Sequence, residues 1–287
     1  MPSEKTDVIK YIFDQRWNST TKLLSDDLVT FDDLIAAIPA SGAKLRTTNP
    51  ANFWKDLTRS ANEDNWPADV LAEGYTGSDA IGADKRASFR FVLLPPGQRT
   101  AFPPPPTPPP GMVAVPLQSV SLPIASRVLG RRDETWLAQV AYRLNIIESH
   151  FVLASARPVK EVDFLQVAIK LGKSEVDVAY RITEQNGDRW LVTVEAKGFR
   201  EKIWVTQVAR QADTLWSLIN KVPMRRGKPV GLSQAATLSV KGIIPFAIKI
   251  VGNSIVHTVE FSTGGGTQLS VVSQGLFELR PPVEGIS

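Results

Sequence analysis

Two acids and a lysine carry the chemistry that this sequence offers most plainly. Asp177 stands in the run Ser174-Glu175-Val176-Asp177-Val178-Ala179-Tyr180-Arg181-Ile182, and after seventeen further residues Glu195-Ala196-Lys197 closes the run that starts at Trp190. In the first run apolar and polar residues alternate with the period of two that marks a strand, which puts Glu175 and Asp177 on one face, and the same period puts Glu195 and Lys197 on one face of the second. Asn186-Gly187 lies between the runs and is a strong turn signal, so the two strands form a hairpin. If residues 184–188 make the loop, Thr183 pairs with Arg189 and Asp177 lies opposite Glu195, about 5 Å away. A strict two-residue turn would instead set Asp177 opposite Ala196 and part the charges.

Two carboxylates that close repel each other unless a cation lies between them. No imidazole is near in sequence, so a hard divalent ion with oxygen ligands suits the pair, and Mg²⁺ takes one or two carboxylates together with waters and a substrate phosphate oxygen. Asp177 and Glu195 are the expected ligands, with the Ala196 carbonyl as a third protein oxygen. Lys197 is placed to hold or help deprotonate an attacking water and to stabilise charge developing on phosphorus. The plainer alternative is a surface hairpin with a cross-strand ion pair, which is worth little. Against it, Val176, Val178, Val192 and Val194 give the strands an apolar face, and charges on a buried strand require a reason.

Composition narrows the choice further. The 287 residues include no cysteine and two histidines, His150 and His257, which removes thiolate metal sites, disulfide scaffolds and cysteine nucleophiles and leaves little for a Ser-His-Asp hydrolase. The opening MPSEKTDVIKYIF is unlike a signal peptide, and no apolar run approaches the roughly 18 residues of a membrane span, so a soluble, cytoplasmic protein is expected. The net charge of +4 is unevenly placed: residues 1–100 hold 12 Lys+Arg and 14 Asp+Glu, or −2, and the remainder holds 21 and 15, or +6. The stretch from Lys197 to Lys228 alone carries eight basic residues, among them Arg200, Lys202 and Arg210, against Glu201 and Asp213. Such a stretch suits an acidic partner as well as it suits a merely solvated face.

Proline marks the division. Nine of the 21 prolines fall between Pro95 and Pro110, a run that holds an extended polyproline II path and acts as a spacer. The expected organisation is residues 1–94, a linker over 95–112, and residues 113–287. In the first unit Asp7 to Trp17 has the pattern of a helix with one apolar stripe, Thr30 is placed to cap a second helix that Pro39 stops, and Asn49-Pro50 opens a third. Val70-Leu71 and Ser88 to Val92 read as short strands. That order is the order of a winged helix-turn-helix, in which the third helix enters the major groove and the hairpin touches the backbone. Asn52, Lys55 and Arg59 then share the outward helical face, and Lys44, Arg46, Lys85 and Arg86 contact phosphates. In the second unit Arg131 to His150 reads as one long amphipathic helix, and Val205 to Ile219 as another with Gln207, Arg210 and Gln211 on its polar side.

Glu175-Val176-Asp177 followed by Val194-Glu195-Ala196-Lys197 resembles the PD-(D/E)XK nuclease signature, and is especially similar to that of type II restriction endonucleases. The likeness spans roughly residues 130–220, with Val176 where the signature has proline. It implies an α/β (α+β) fold with a restriction-endonuclease-like mixed sheet flanked by helices, here behind an N-terminal winged-helix-like domain. It also implies Mg²⁺-dependent hydrolysis of phosphodiester bonds at a specific double-stranded DNA sequence, with a homodimer as the working form. Carried onto this chain, Asp177 and Glu195 bind metal, Lys197 acts on the water, and Gln207 lies near the scissile phosphate. An additional acid often completes the metal shell; Glu134, Glu148 and Glu175 are all candidates. Arg200, Lys202 and Arg210 are the expected DNA contacts of the catalytic unit. Two other outcomes stay open: a non-catalytic DNA-binding regulator on the same core, and a repair nuclease that acts on DNA structure.

Overall fold

The computed structural model describes residues 3–45, 53, 66–83, 86–94, 96–102, 104–128, 130–131, 133–171, 174–225, 228–229, 231–263 and 269–286. The chain divides into two compact units, Met1–Pro104 and Pro105–Ser287, and the division falls inside the proline-rich stretch. Ala101 and Phe102 are buried in the first unit, where the Phe102 ring meets Trp66 edge-on at 5.8 Å, and the second unit's first strand begins at Val115.

The first unit runs α1 (Glu4–Arg16), a short hairpin β1 (Trp17–Asn18) and β2 (Leu23–Leu24), β3 (Leu28–Val29), α2 (Phe31–Ala40), α3 (Ala68–Ala72), β4 (Tyr75–Ile81) and β5 (Ala87–Leu93). Thr30 caps α2 as expected, in a reciprocal capping box with Asp33. Pro39 does not stop that helix; Gly42, at φ 79°, does, its N–H donating to the Pro39 carbonyl. Val70 and Leu71 lie in α3 rather than in a strand: Pro67, with its fixed φ, starts a short turn of helix, and Val70 points inward from it. The strands β3, β5 and β4 form one antiparallel sheet in that order. Val8, Ile9, Ile12 and Phe13 of α1 are buried, with Phe13 edge-on to Phe91 at 5.4 Å. The expected third helix, with Asn52, Lys55 and Arg59, lies outside the described residues apart from Phe53, which is buried; Arg46 and Lys85 lie outside them too.

The second unit is a mixed α/β structure on a seven-stranded sheet. Its elements are β6 (Val115–Gln118), α4 (Ile124–Val128), α5 (Glu134–Arg143), α6 (Ile146–Leu153), β7 (Val159–Leu171), β8 (Ser174–Glu184), β9 (Arg189–Lys197), α7 (Val205–Ile219), a small hairpin β10 (Met224–Arg225) and β11 (Lys228–Pro229), α8 (Gln234–Thr237), β12 (Val240–Gly252), β13 (Ile255–Phe261) and β14 (Val271–Arg280). Across the sheet the order is β6-β14-β13-β12-β9-β8-β7. β7, β8 and β9 form an antiparallel meander; α7 then carries the chain over to β12, which pairs parallel to β9.

Both faces of this sheet are covered. Val178, Tyr180, Val192, Val194, Ala196 and Phe246 pack against α5 and α6, while Leu191 and Ile243 pack against Ala212, Leu215 and Ile219 of α7. Val176 belongs to the α7 side, not to the face of Val178. On the neighbouring strand Ala168 takes a left-handed φ of 51° between Val167, which pairs with Val178, and Ile169, which pairs with Val176. The segment expected as one long helix is two: Asn145, at φ 53°, breaks it after Leu144, and the turn redirects α6 so that Ile146, Ile147, His150 and Phe151 are all buried. No described helix is long and apolar enough to cross a membrane.

Candidate active site

The hairpin that should join the acids has the longer loop. Thr183 pairs with Arg189 and the register runs up to Val178 opposite Val194. Gly187, at φ 88°, and the Asn186 side chain, which accepts from the Asp188 N–H at 2.9 Å, shape the turn. Asp177 and Glu195 fall at the next step, where the ladder ends. There the Asp177 side chain takes over: its Oδ2 accepts from the Ala196 N–H at 2.8 Å, so a carboxylate satisfies a strand amide. Ala196 thus meets Asp177 through its nitrogen.

Glu195 and Lys197 are each 2% exposed on the face that α7 covers. Gln207 and Gln211, one helical turn apart on α7, both donate from Nε2 to the Glu195 carboxylate, and Gln211 donates as well to the Glu175 carbonyl at 2.7 Å. Lys197 Nζ lies against the same carboxylate and donates to Glu134 Oε1 at 2.6 Å. Glu134 is placed there by the start of α5, where the Asp133 side chain caps the helix by accepting from the Trp136 N–H at 2.8 Å. Of the three candidate additional acids, Glu134 is therefore the one at Lys197. Glu175 is exposed and contributes its carbonyl, and Glu148 lies on α6 with a buried Oε2 that has no hydrogen-bond partner.

The electrostatics follow from this crowding. Burial, and then the negative charge of Glu195, push the Asp177 carboxyl up to about 7, against the pull of the Ala196 N–H. Burial also raises Glu134, in spite of Lys197. Burial works against the Lys197 ammonium, but Glu195 and Glu134 outweigh it and hold the lysine above its usual range. Lys197 is thus a firmly protonated cation between two acids, which suits charge stabilisation and orientation of a water better than proton abstraction.

Among the described residues no group of three His, Cys, Asp or Glu stands together as a metal site. The donor set nonetheless fits Mg²⁺, which needs only one or two carboxylates, and a raised Asp177 is what a cation between Asp177 and Glu195 would relieve.

Lys249 has no counterpart among the residues expected from the sequence. It lies on β12, paired with Lys197, and donates to the carbonyls of Gly198 at 3.0 Å, Phe199 at 2.9 Å and Glu201. Its signal was available: one charge in the otherwise apolar run Ile243 to Val251. Gln211 was visible on the polar side of the helix, one turn beyond Gln207.

Of the expected DNA contacts, Arg200 and Arg210 are exposed, Arg210 beside Gln211 on α7, and Lys202 Nζ lies 5.8 Å from the Trp204 ring. In the first unit Lys44 is exposed, while Arg86 is drawn back onto α2: its Nη2 donates to Asp32 at 2.7 Å and its guanidinium lies 4.5 Å from the Phe31 ring. No family model, curated protein or solved structure matches the chain.

Proposed function

We propose that this chain is a Mg²⁺-dependent DNA endonuclease of the type II restriction class, hydrolysing phosphodiesters at a specific double-stranded sequence, with the catalytic chemistry in residues 113–287. The observation that carries the reading is the meeting of Asp177 with Glu195-Ala196-Lys197 where the β8–β9 ladder ends, with Glu195 and Lys197 buried side by side. The order of a helix, a three-stranded meander, a crossing helix and a parallel strand in a mixed sheet supports it.

Asp177 and Glu195 would hold the ion, with the Ala196 carbonyl as the third protein oxygen. Bound there, Mg²⁺ would polarise the phosphate and offset its charge. Lys197 keeps its proton under the influence of Glu195 and Glu134, and so presents a fixed cation to a phosphate oxygen and to a water. Gln207 and Gln211 hold the Glu195 carboxylate in one orientation. Arg200, Lys202 and Arg210, at and before the N-terminal half of α7, supply positive charge for the DNA backbone.

For the first unit we propose a winged-helix-like DNA-binding role. The β3-β5-β4 sheet behind α1 and α2 supports it, and Lys44 and Arg86 are its described candidate contacts. A homodimer is the proposed assembly, since cutting both strands of a symmetric site calls for two active centres.

The test is incubation of the pure protein with plasmid DNA and Mg²⁺. Discrete fragments are expected, and Asp177→Ala and Lys197→Ala should each cut at least ~10³-fold more slowly, in line with loss of more than about 4 kcal/mol of transition-state stabilisation. Cleavage by both variants at the wild-type rate would falsify the site. Retarded but intact DNA would favour the regulator, and nicking confined to branched or damaged DNA the repair nuclease.

A further inference from the structure

Beyond the acids and Lys197, one charged side chain ties the site's two halves together. The strand β9 ends at Lys197 and the helix α7 starts at Val205, so the segment between them must turn within seven residues. The Glu201 N–H donates to the Gly198 carbonyl at 3.2 Å, and the Gly198 N–H donates to Glu201 Oε2 at 3.0 Å. Three carbonyls of this turn, those of Gly198, Phe199 and Glu201, converge on Lys249 Nζ, which reaches them from the neighbouring strand. An ammonium has three N–H donors, so the three carbonyls match its full capacity.

The surroundings keep that ammonium from pairing elsewhere. Lys197 on one neighbouring strand and His257 on the other share its row across the sheet. Lys197 is engaged with Glu134 and Glu195. His257 donates from Nε2 to Gln274 Oε1 at 2.8 Å; burial pushes it down to about 4, so it is neutral and adds no competing charge. Glu201 is the remaining titratable group that faces Lys249. A cation among carbonyl oxygens is the arrangement that otherwise binds a potassium or ammonium ion.

We infer that Lys249 is a positioning residue, a built-in cation whose ammonium organises the carbonyls of residues 198–201 and so fixes Lys197 at one end of the turn and Gln207 at the other. The inference rests on the proposed nuclease site for its effect on rate, but its effect on the turn stands apart from any activity. Lys249→Ala opens the carbonyl cradle to a small exogenous ammonium ion. In the full-length protein this variant should cleave plasmid about 10–100-fold more slowly, the scale of a displaced active-site group, through kcat and not KM. Methylammonium should restore much of the rate, and tetramethylammonium, which carries the same charge without an N–H, should not.

Hydrogen–deuterium exchange separates the two ideas. Amides of residues 198–207 should exchange faster in Lys249→Ala and slow again with methylammonium, whether or not the wild-type protein cuts DNA. A wild-type protein that never cleaves would sink the nuclease reading and leave this result standing. Unchanged exchange, or a loss of rate that methylammonium and tetramethylammonium relieve equally, would overturn the inference. Should Lys249→Ala not fold, Lys249→Met keeps the stem and removes the charge, and its exchange over the same amides decides the matter in the same way.

Discussion

The seven-stranded sheet holds two polar constellations, one on each side, and they are built on opposite terms. On the α6 side Glu260 of β13 accepts from Arg157 Nε at 2.6 Å, from Ser155 Oγ at 2.8 Å and from Ser273 Oγ at 2.7 Å, and His150 joins Ser273 and Thr258 at 2.9 and 2.8 Å. Arg157 also reaches Glu184 at 2.9 Å and lies 5.2 Å from the Trp190 ring. Burial disfavours the Glu260 charge, yet its partners outweigh that and hold the carboxyl down to about 2. On the α7 side burial and then the negative charge of Glu195 outweigh the Ala196 N–H and Lys197, and Asp177 is pushed up to about 7. Burial presses Glu260 and Asp177 alike toward the neutral form, and the groups around each decide the outcome. A fully partnered acid fastens the fold, and an under-partnered one holds a place for something else.

Removing Arg157 tests the fastened side hardest. Arg157→Met leaves Glu260 and Glu184 as buried charges without their guanidinium, and urea unfolding should show a loss of about 3–5 kcal/mol. A loss below about 1 kcal/mol, the worth of an exposed pair, would mean that the two sides do not differ as described. On the other side the sign reverses. Asp177→Asn removes a charge that burial penalises, so the metal-free protein should gain about 2–4 kcal/mol at pH 8, since each tenfold change in proton affinity is worth roughly 1.4 kcal/mol. That gain should grow as pH rises from about 4 to about 7, because in that window the unfolded aspartate is ionised and the folded one is not. The Glu260 contribution runs the other way: its pKa is depressed on folding, so the stability it adds is present above about pH 4.5 and is lost as pH falls toward 2. Parallel pH profiles for Asp177→Asn and Glu260→Gln, each against wild type, would erase the contrast. Smallest in effect is Glu148, which burial raises to about 6 and whose Oε2 lacks a partner. Glu148→Gln should raise stability by about 1 kcal/mol at pH 8 and leave it unchanged near pH 4, readable as a shift in Tm.

The site was more legible in the sequence than its surroundings. Period-two alternation put Glu195 and Lys197 on one face and Asn186-Gly187 marked the turn, but the level of Asp177 hung on the loop length, which the sequence left between two choices and the Thr183–Arg189 pairing settles. Helix α7 was legible from Val205 to Ile219 because its apolar stripe is long and uninterrupted. What failed were features set by single backbone angles or by strands distant in sequence. Asparagine is among the few residues besides glycine that take the left-handed region, but the apolar stripe of Arg131 to His150 runs on past Asn145 and hides the break there. The short segment at Val70-Leu71 is apolar enough for either strand or helix, and Pro67 settled it. Lys249 and Glu134 reach the site from β12 and α5, and their approach depends on sheet order, which local pattern does not carry. The chain divides within the proline-rich stretch, where Ala101 and Phe102 are buried in the first unit.

The carboxylate that closes the β8–β9 ladder turns one backbone amide into an instrument. Because the Ala196 N–H donates to Asp177 Oδ2 and not to a strand carbonyl, its nuclear magnetic resonance frequency follows the charge on that oxygen. One cross-peak in an otherwise silent strand would then report proton loss and cation arrival at the site directly, without substrate and without turnover.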